Sequence, residues 1–82
     1  MEANNPLHHY RFVFAKNMRT IRRLKNISQE ELAFKAGISR VYIGEIEKGS
    51  KAVSIDIMGN IADALNLPLD QLLRTDLILI DI

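Results

Sequence analysis

From Tyr10 to Lys25 the apolar residues Tyr10, Phe14, Met18, Ile21 and Leu24 recur at spacings of three and four. That is the period of an amphipathic helix with one face in a core, and Lys16, Arg19 and Arg23 fall away from the stripe. Asn26 interrupts the pattern. Ser28, followed three residues later by Glu31, forms a capping box that satisfies orphan amide donors at a helix start. A second helix is therefore predicted from Gln29 to Ala36, with Leu32, Ala33 and Ala36 inward. Gly37 stops it, because glycine takes the left-handed conformation after a helix at least cost. Ser39 caps a third helix reaching about Lys48, with Ile43 and Ile46 as its buried pair and Gly49 as its stop. After a short loop, Ser54 starts a fourth helix whose inward residues are Ile57, Ile61, Ala62 and Leu65. Pro68 suits the first turn of a short fifth helix carrying Leu69, Leu72 and Leu73, with Asp70 near the positive end of its dipole. The expected architecture is thus an all-α, five-helix domain over residues 10–74. A lead, residues 1–9, has no hydrophobic period and is expected to be disordered; an apolar tail, residues 75–82, follows.

The stretch from Gln29 to Lys48 is the informative one, two short helices joined by a three-residue turn. Packing two helices at a steep angle over such a turn requires three things: a small residue where they approach, a turn residue tolerant of positive φ, and apolar anchors on both helices. Ala33 meets the first requirement, Gly37 the second, and Leu32, Ala36, Ile38, Ile43 and Ile46 the third. The chain here resembles the helix-turn-helix repressors of the Cro/cI type, the XRE family with its lambda-repressor-like fold. The resemblance runs from Phe12 to Leu73. It is carried by Ser28-Gln29-Glu30-Glu31-Leu32-Ala33, Ala36-Gly37-Ile38-Ser39, Tyr42-Ile43-Gly44-Glu45-Ile46-Glu47-Lys48-Gly49 and Ile61-Ala62-Asp63-Ala64-Leu65-Asn66-Leu67. Within that family, the length, the Arg40 to Ile46 pattern and the short tail look most like the controller proteins of restriction–modification systems.

The resemblance implies that the third helix enters the major groove of double-stranded DNA with its N-terminal half against base edges. Ser39, at its cap, is counted with the DNA-facing residues. Arg40 is the first long side chain there, and a guanidinium pairs bidentately with guanine O6 and N7. Val41 offers methyl groups to a thymine methyl. Tyr42 can stack on a sugar, bond a phosphate, or simply pack at the helix edge. Glu45 either accepts from cytosine N4 or faces solvent. Gly44 weakens the helix, a cost that makes sense where backbone approaches DNA closely. Gln29 resembles the family glutamine that contacts phosphate or steadies the recognition helix. Lys48, Lys51 and Arg23 would supply phosphate contacts that weaken with salt. Arg22 and Glu47 match family positions that pair, and are assigned to a structural ion pair between the first and third helices.

Composition changes this picture chiefly by exclusion. The 82 residues include no cysteine, and no apolar run is longer than Leu77 to Ile80. No disulfide scaffold, cysteine-ligated zinc site, secretory signal or membrane span is expected; a cytoplasmic protein without metal or cofactor is. His8 and His9 are adjacent and cannot share a helical face, and no nucleophile, base and orienting group recur in a recognisable arrangement, so no enzyme is expected. The formal net charge of +1 conceals a polarity. Through Lys51 the chain carries ten basic and five acidic residues, and beyond it one basic and five acidic, a charge of +5 against −4. A basic half suits a polyanion and leaves the other half for a second surface.

One such module reads only a few base pairs, so specific binding calls for two on half-sites about 34–36 Å apart. Leu69, Leu72, Leu73 and the tail residues Leu77, Ile78, Leu79 and Ile80 offer more apolar surface than five short helices should bury. A homodimer through the fourth and fifth helices and the tail is expected; the alternative is a tail folded back on its own first helix. The leading function is an operator-binding transcriptional regulator. The alternative is a protein-interaction module, such as an antitoxin or phage-type regulator whose main partner is another protein.

Overall fold

The computed structural model describes residues 9–77, which form α1 (His9–Leu24), α2 (Gln29–Ala36), α3 (Arg40–Glu47), α4 (Ile55–Ala64) and α5 (Leu69–Leu72). No strand occurs among the described residues. Three helices start the same way. The hydroxyls of Ser28, Ser39 and Ser54 accept from the backbone amides of Glu31, Tyr42 and Ile57 at 3.0, 3.0 and 3.1 Å, each satisfying a donor the helix cannot. Gly37 closes α2 at φ +74°, and Ile38 N–H returns to Ala33 O at 3.0 Å. Gly49, at φ +75°, lets the chain leave α3. A β-carbon there would lie 2.5 Å from the ring of Phe12, so this glycine also seats α1 against the end of α3.

The core is assembled from every helix. Phe14, Met18 and Ile21 of α1, Leu32 of α2, Ile43 and Ile46 of α3, Ile61 of α4, Leu65 at its C-cap and Leu72 of α5 are fully buried. Each such side chain contributes about 1.5–3 kcal/mol by leaving water. α2 packs on α3 and α4, while α1 closes over α3 and α5. Among the described residues no helix is long and apolar enough to cross a membrane.

Several expectations are corrected. α1 begins at His9, one residue inside the expected lead, the rest of which lies outside the described residues. Tyr10 and Leu24 are exposed, because they sit at the two ends of α1 beyond its packing partners. The buried face of α1 instead includes Asn17 and Arg22. Pro68 is the N-cap of α5 rather than part of its first turn, whereas α3 ends where expected, with Lys48 as its C-cap. Leu72, assigned above to a dimer surface, is fully buried in its own protomer and has no surface to give a second one. Leu69, Leu73 and Leu77 are half-buried against the same core. Ile78, Leu79 and Ile80 lie outside the described residues.

Two buried polar side chains tie distant segments together. Asn17 Nδ2 donates to Leu72 O at 2.9 Å and to Arg74 O at 2.8 Å, fastening the end of α5 to α1. Arg22 Nε and Nη2 donate to Glu47 Oε2 and Oε1 at 2.6 and 3.1 Å, and its Nη1 donates to Ile27 O at 2.9 Å. Urea denaturation of Asn17→Ala should show a loss of about 1–3 kcal/mol, because two carbonyls lose their donor. Glu47→Ala should cost more, about 3–5 kcal/mol, since it leaves the Arg22 cation buried without its partner. Wild-type stability in either variant would contradict these roles.

Candidate nucleic-acid interface

The interface is built outward from Glu47, the last residue of α3. Its carboxylate is 4% exposed and takes three N–H donors: two from Arg22 on α1 and one from Gln29, whose Nε2 donates to Oε1 at 3.0 Å. Its backbone carbonyl accepts from Arg19 Nη1 at 2.7 Å. α1, α2 and α3 are thereby pinned at one point. A cation at the C-terminal end of α3 also complements the negative pole of its dipole.

Outside this point lies an open groove of about 480 Å³. α3 supplies Arg40, Val41, Gly44, Glu45 and, at its cap, Lys48; α1 adds Arg19 and Arg23, and α2 adds Gln29. Arg40 Nη1 donates to Gln29 Oε1 at 3.2 Å. Val41 is 60% exposed, a methyl-bearing side chain held in water rather than in the core. At Gly44 a β-carbon would stand 4.0 Å from both amide atoms of Gln29, so the bare backbone lets that amide lie across α3. Arg19, Arg23, Arg40 and Lys48 make the groove basic, since the charge of Glu47 is answered by Arg22. Glu45 stands 3.8 Å from Lys51, an exposed pair worth little to stability.

The structure thus brings Gln29, Arg40, Val41, Gly44, Glu45, Lys48 and Arg23 to one groove. Ser39 and Tyr42 do not line it: the Ser39 hydroxyl is engaged in the α3 cap, and Tyr42 is half-buried against the core. Lys51 sits beyond α3, beside Glu45. Sequence reasoning missed two features. Arg19 reads as an off-stripe cation, yet it lines the groove from α1, one helical turn before Arg23. The Gln29–Glu47 bond spans 18 residues and leaves no periodic signal. Among the described residues no cluster of three or more His, Cys, Asp or Glu side chains could hold a metal ion.

Residues 18–72 match the helix-turn-helix family. The control protein C.BamHI of Bacillus amyloliquefaciens is 42% identical over 64 residues, covering 77% of this chain and 79% of that protein. The control protein C.SmaI of Serratia marcescens is 38% identical over 61 residues, covering 74% of this chain and 73% of that protein. Among solved structures, the restriction–modification controller protein C.AhdI from Aeromonas hydrophila superposes with a TM-score of 0.73 at 35% identity, over 76% of this chain and 94% of that one. The groove along α3, the capped two-helix unit beneath it and these relatives lead to one conclusion: the chain belongs to the XRE-type helix-turn-helix family of DNA-binding transcriptional regulators.

Proposed function

We propose that this protein is a cytoplasmic, sequence-specific regulator that binds an operator as a homodimer, in the role of a restriction–modification controller protein. The observation that carries the reading is the basic groove along the outward face of α3, with Arg40 at the helix start. An eight-residue helix fits a major groove about 12 Å wide. In that position Arg40 addresses guanine and Val41 a thymine methyl, while Glu45 lies within reach of a cytosine amino group. Ser39, Tyr42 and the Gly44 backbone approach the duplex beside them. Arg19, Arg23, Lys48 and Lys51 meet phosphates, and Gln29 stands at the positive pole of α2, where an anion is favoured. The protein contributes binding and positioning, and no catalytic role is proposed for it.

The dimer reading shifts toward α4. Ile55 is 68% exposed, and a β-carbon on Gly59, one turn later, would meet nothing within 4 Å. A helical glycine costs about 1 kcal/mol against alanine, and no contact within the protomer asks for it. A second protomer approaching this face would use both features, with Leu69, Leu73 and Leu77 flanking. A second reading, as a protein-interaction module, is favoured by Phe34, 87% exposed on α2 and outside the groove.

Selection from random duplexes at moderate salt separates the two readings: an enriched two-fold site supports operator binding, and no enrichment by folded protein contradicts it. On the selected site, Arg40→Ala should relax the base preference at one position, at a cost of about 1–3 kcal/mol. Lys48→Ala should weaken every duplex alike and lower the salt slope by about one. Uniform loss in both variants would contradict the assignment of Arg40. Sedimentation equilibrium of Ile55→Glu should show a dissociation constant raised at least about tenfold, as expected of a charge placed at an interface centre; an unchanged constant would move the dimer surface elsewhere.

A further inference from the structure

Two carboxylates line the groove. That of Glu47 is buried and held by Arg22 and Gln29. That of Glu45 is 41% exposed, and among the described residues its one ion-pair partner is Lys51, with Nζ 3.8 Å from Oε1. The turn after α3 carries the lysine there. Gly49, in the left-handed region at φ +75°, reverses the chain, and its N–H donates to Ile46 O at 2.9 Å. The N–H and the hydroxyl of Ser50 both donate to Glu45 O, at 3.4 and 3.0 Å. Amides returned to the last carbonyls in this way close a helix end, and the added hydroxyl bond fastens residue 50 to the turn that bears Glu45. Lys51 therefore leaves the loop beside Glu45, outside the residues that line the groove. A pair so exposed biases the lysine by no more than about fivefold. That is enough to favour one partner and too little to shut out another.

We propose that Glu45 and Lys51 act as a latch: the ammonium goes either to Glu45 or to a DNA phosphate, and it is released to the phosphate only where a base donates an N–H to Glu45. The proposal rests on the DNA-binding reading above, and adds to it the dependence of one phosphate contact on base sequence. Inside a major groove a carboxylate lacking both cation and donor faces phosphates on either side, and such like-charge juxtaposition is disfavoured. On a base pair without a donor for it, Glu45 keeps Lys51, and the complex has one phosphate contact fewer. Cytosine presents an amino group from which a carboxylate accepts. Glu45 then has its donor, and Lys51 turns to a phosphate and releases a counterion. The amino group of adenine stands beside the N7 acceptor, which repels a carboxylate, so cytosine is the base expected. The right base is thereby rewarded twice, by a hydrogen bond and by a phosphate contact.

The test uses the full chain and four duplexes that differ only at the base pair where Glu45→Ala relaxes preference; relaxation at no position would overturn the proposal. Dissociation constants are measured over a salt series. In the wild type the favoured duplex should show a salt slope steeper by about one than the other three, as for one added phosphate contact. Glu45→Gln frees the lysine, so all four slopes should be equally steep and the three disfavoured duplexes should bind up to about fivefold more tightly. Lys51→Met should make all four slopes equally shallow and weaken the favoured duplex most. One wild-type slope on all four duplexes, or a Lys51→Met loss equal on all four, would overturn the latch, because Lys51 would then be an ordinary phosphate contact. Relaxation of the Lys51 ε-methylene in the DNA-free protein gives a second readout. Its motion should be restricted in the wild type and freer in Glu45→Gln; equal motion in both would overturn the latch whatever the operator. A restricted, Glu45-dependent Lys51 in a folded protein that prefers no duplex would contradict the operator reading, and this proposal with it.

Discussion

Burying a carboxylate is costly unless donors replace the water it loses, and the Glu47 carboxylate is buried at the point where three helices meet. Its donors come from α1 and α2, so its ionic and hydrogen-bond requirements can be met only when those helices stand in one arrangement relative to α3. Hydrophobic packing of Ile43 and Ile46 holds α3 in the core, but apolar contact is weakly directional. The hydrogen-bonded pair adds a directional restraint to that packing, and Arg40, Val41 and Gly44 line the groove.

That constraint matters more because α3 is weak by itself. It has eight residues, one of them glycine, and is far shorter than a helix needs to be stable alone in water. Its order is borrowed from the core beneath, from the Ser39 cap at one end and from the Arg19 guanidinium at the other. The face it presents is therefore held by its neighbours rather than by its own propensity. The base recognition proposed above would benefit from such support, since a bidentate contact tolerates little displacement of the side chain that makes it.

The fold was largely legible because its signals are local. Three serine caps, the glycines Gly37 and Gly49, and a three-to-four spacing of apolar residues all act within a few positions, and these mark the helix ends found in the structure. The resemblance implied the Arg22–Glu47 pair, and the two side chains meet at 2.6 Å. What sequence alone did not yield is polar and long-range. Asn17 reads as a gap in the stripe of α1, yet it is buried and fastens residues more than fifty positions away. For Gln29 the resemblance left phosphate contact and support of the recognition helix both open, and only the structure shows its bonds to Glu47 and Arg40. Leu72 looks surplus to a small core because the number of leucines a core can hold depends on packing that periodicity does not describe.

The central claim is that the face made by the start of α2, the outer side of α3 and the end of α1 receives the duplex. Amide chemical-shift mapping of the full chain during titration with a selected duplex tests it most directly. The account predicts that the largest changes fall on Gln29, Glu30, Arg40, Val41, Gly44, Glu45 and Lys48, with side-chain shifts at Arg19 and Arg23. Changes concentrated on Ile55–Ala64 and Leu69–Leu72, with the α3 amides undisturbed, would contradict it.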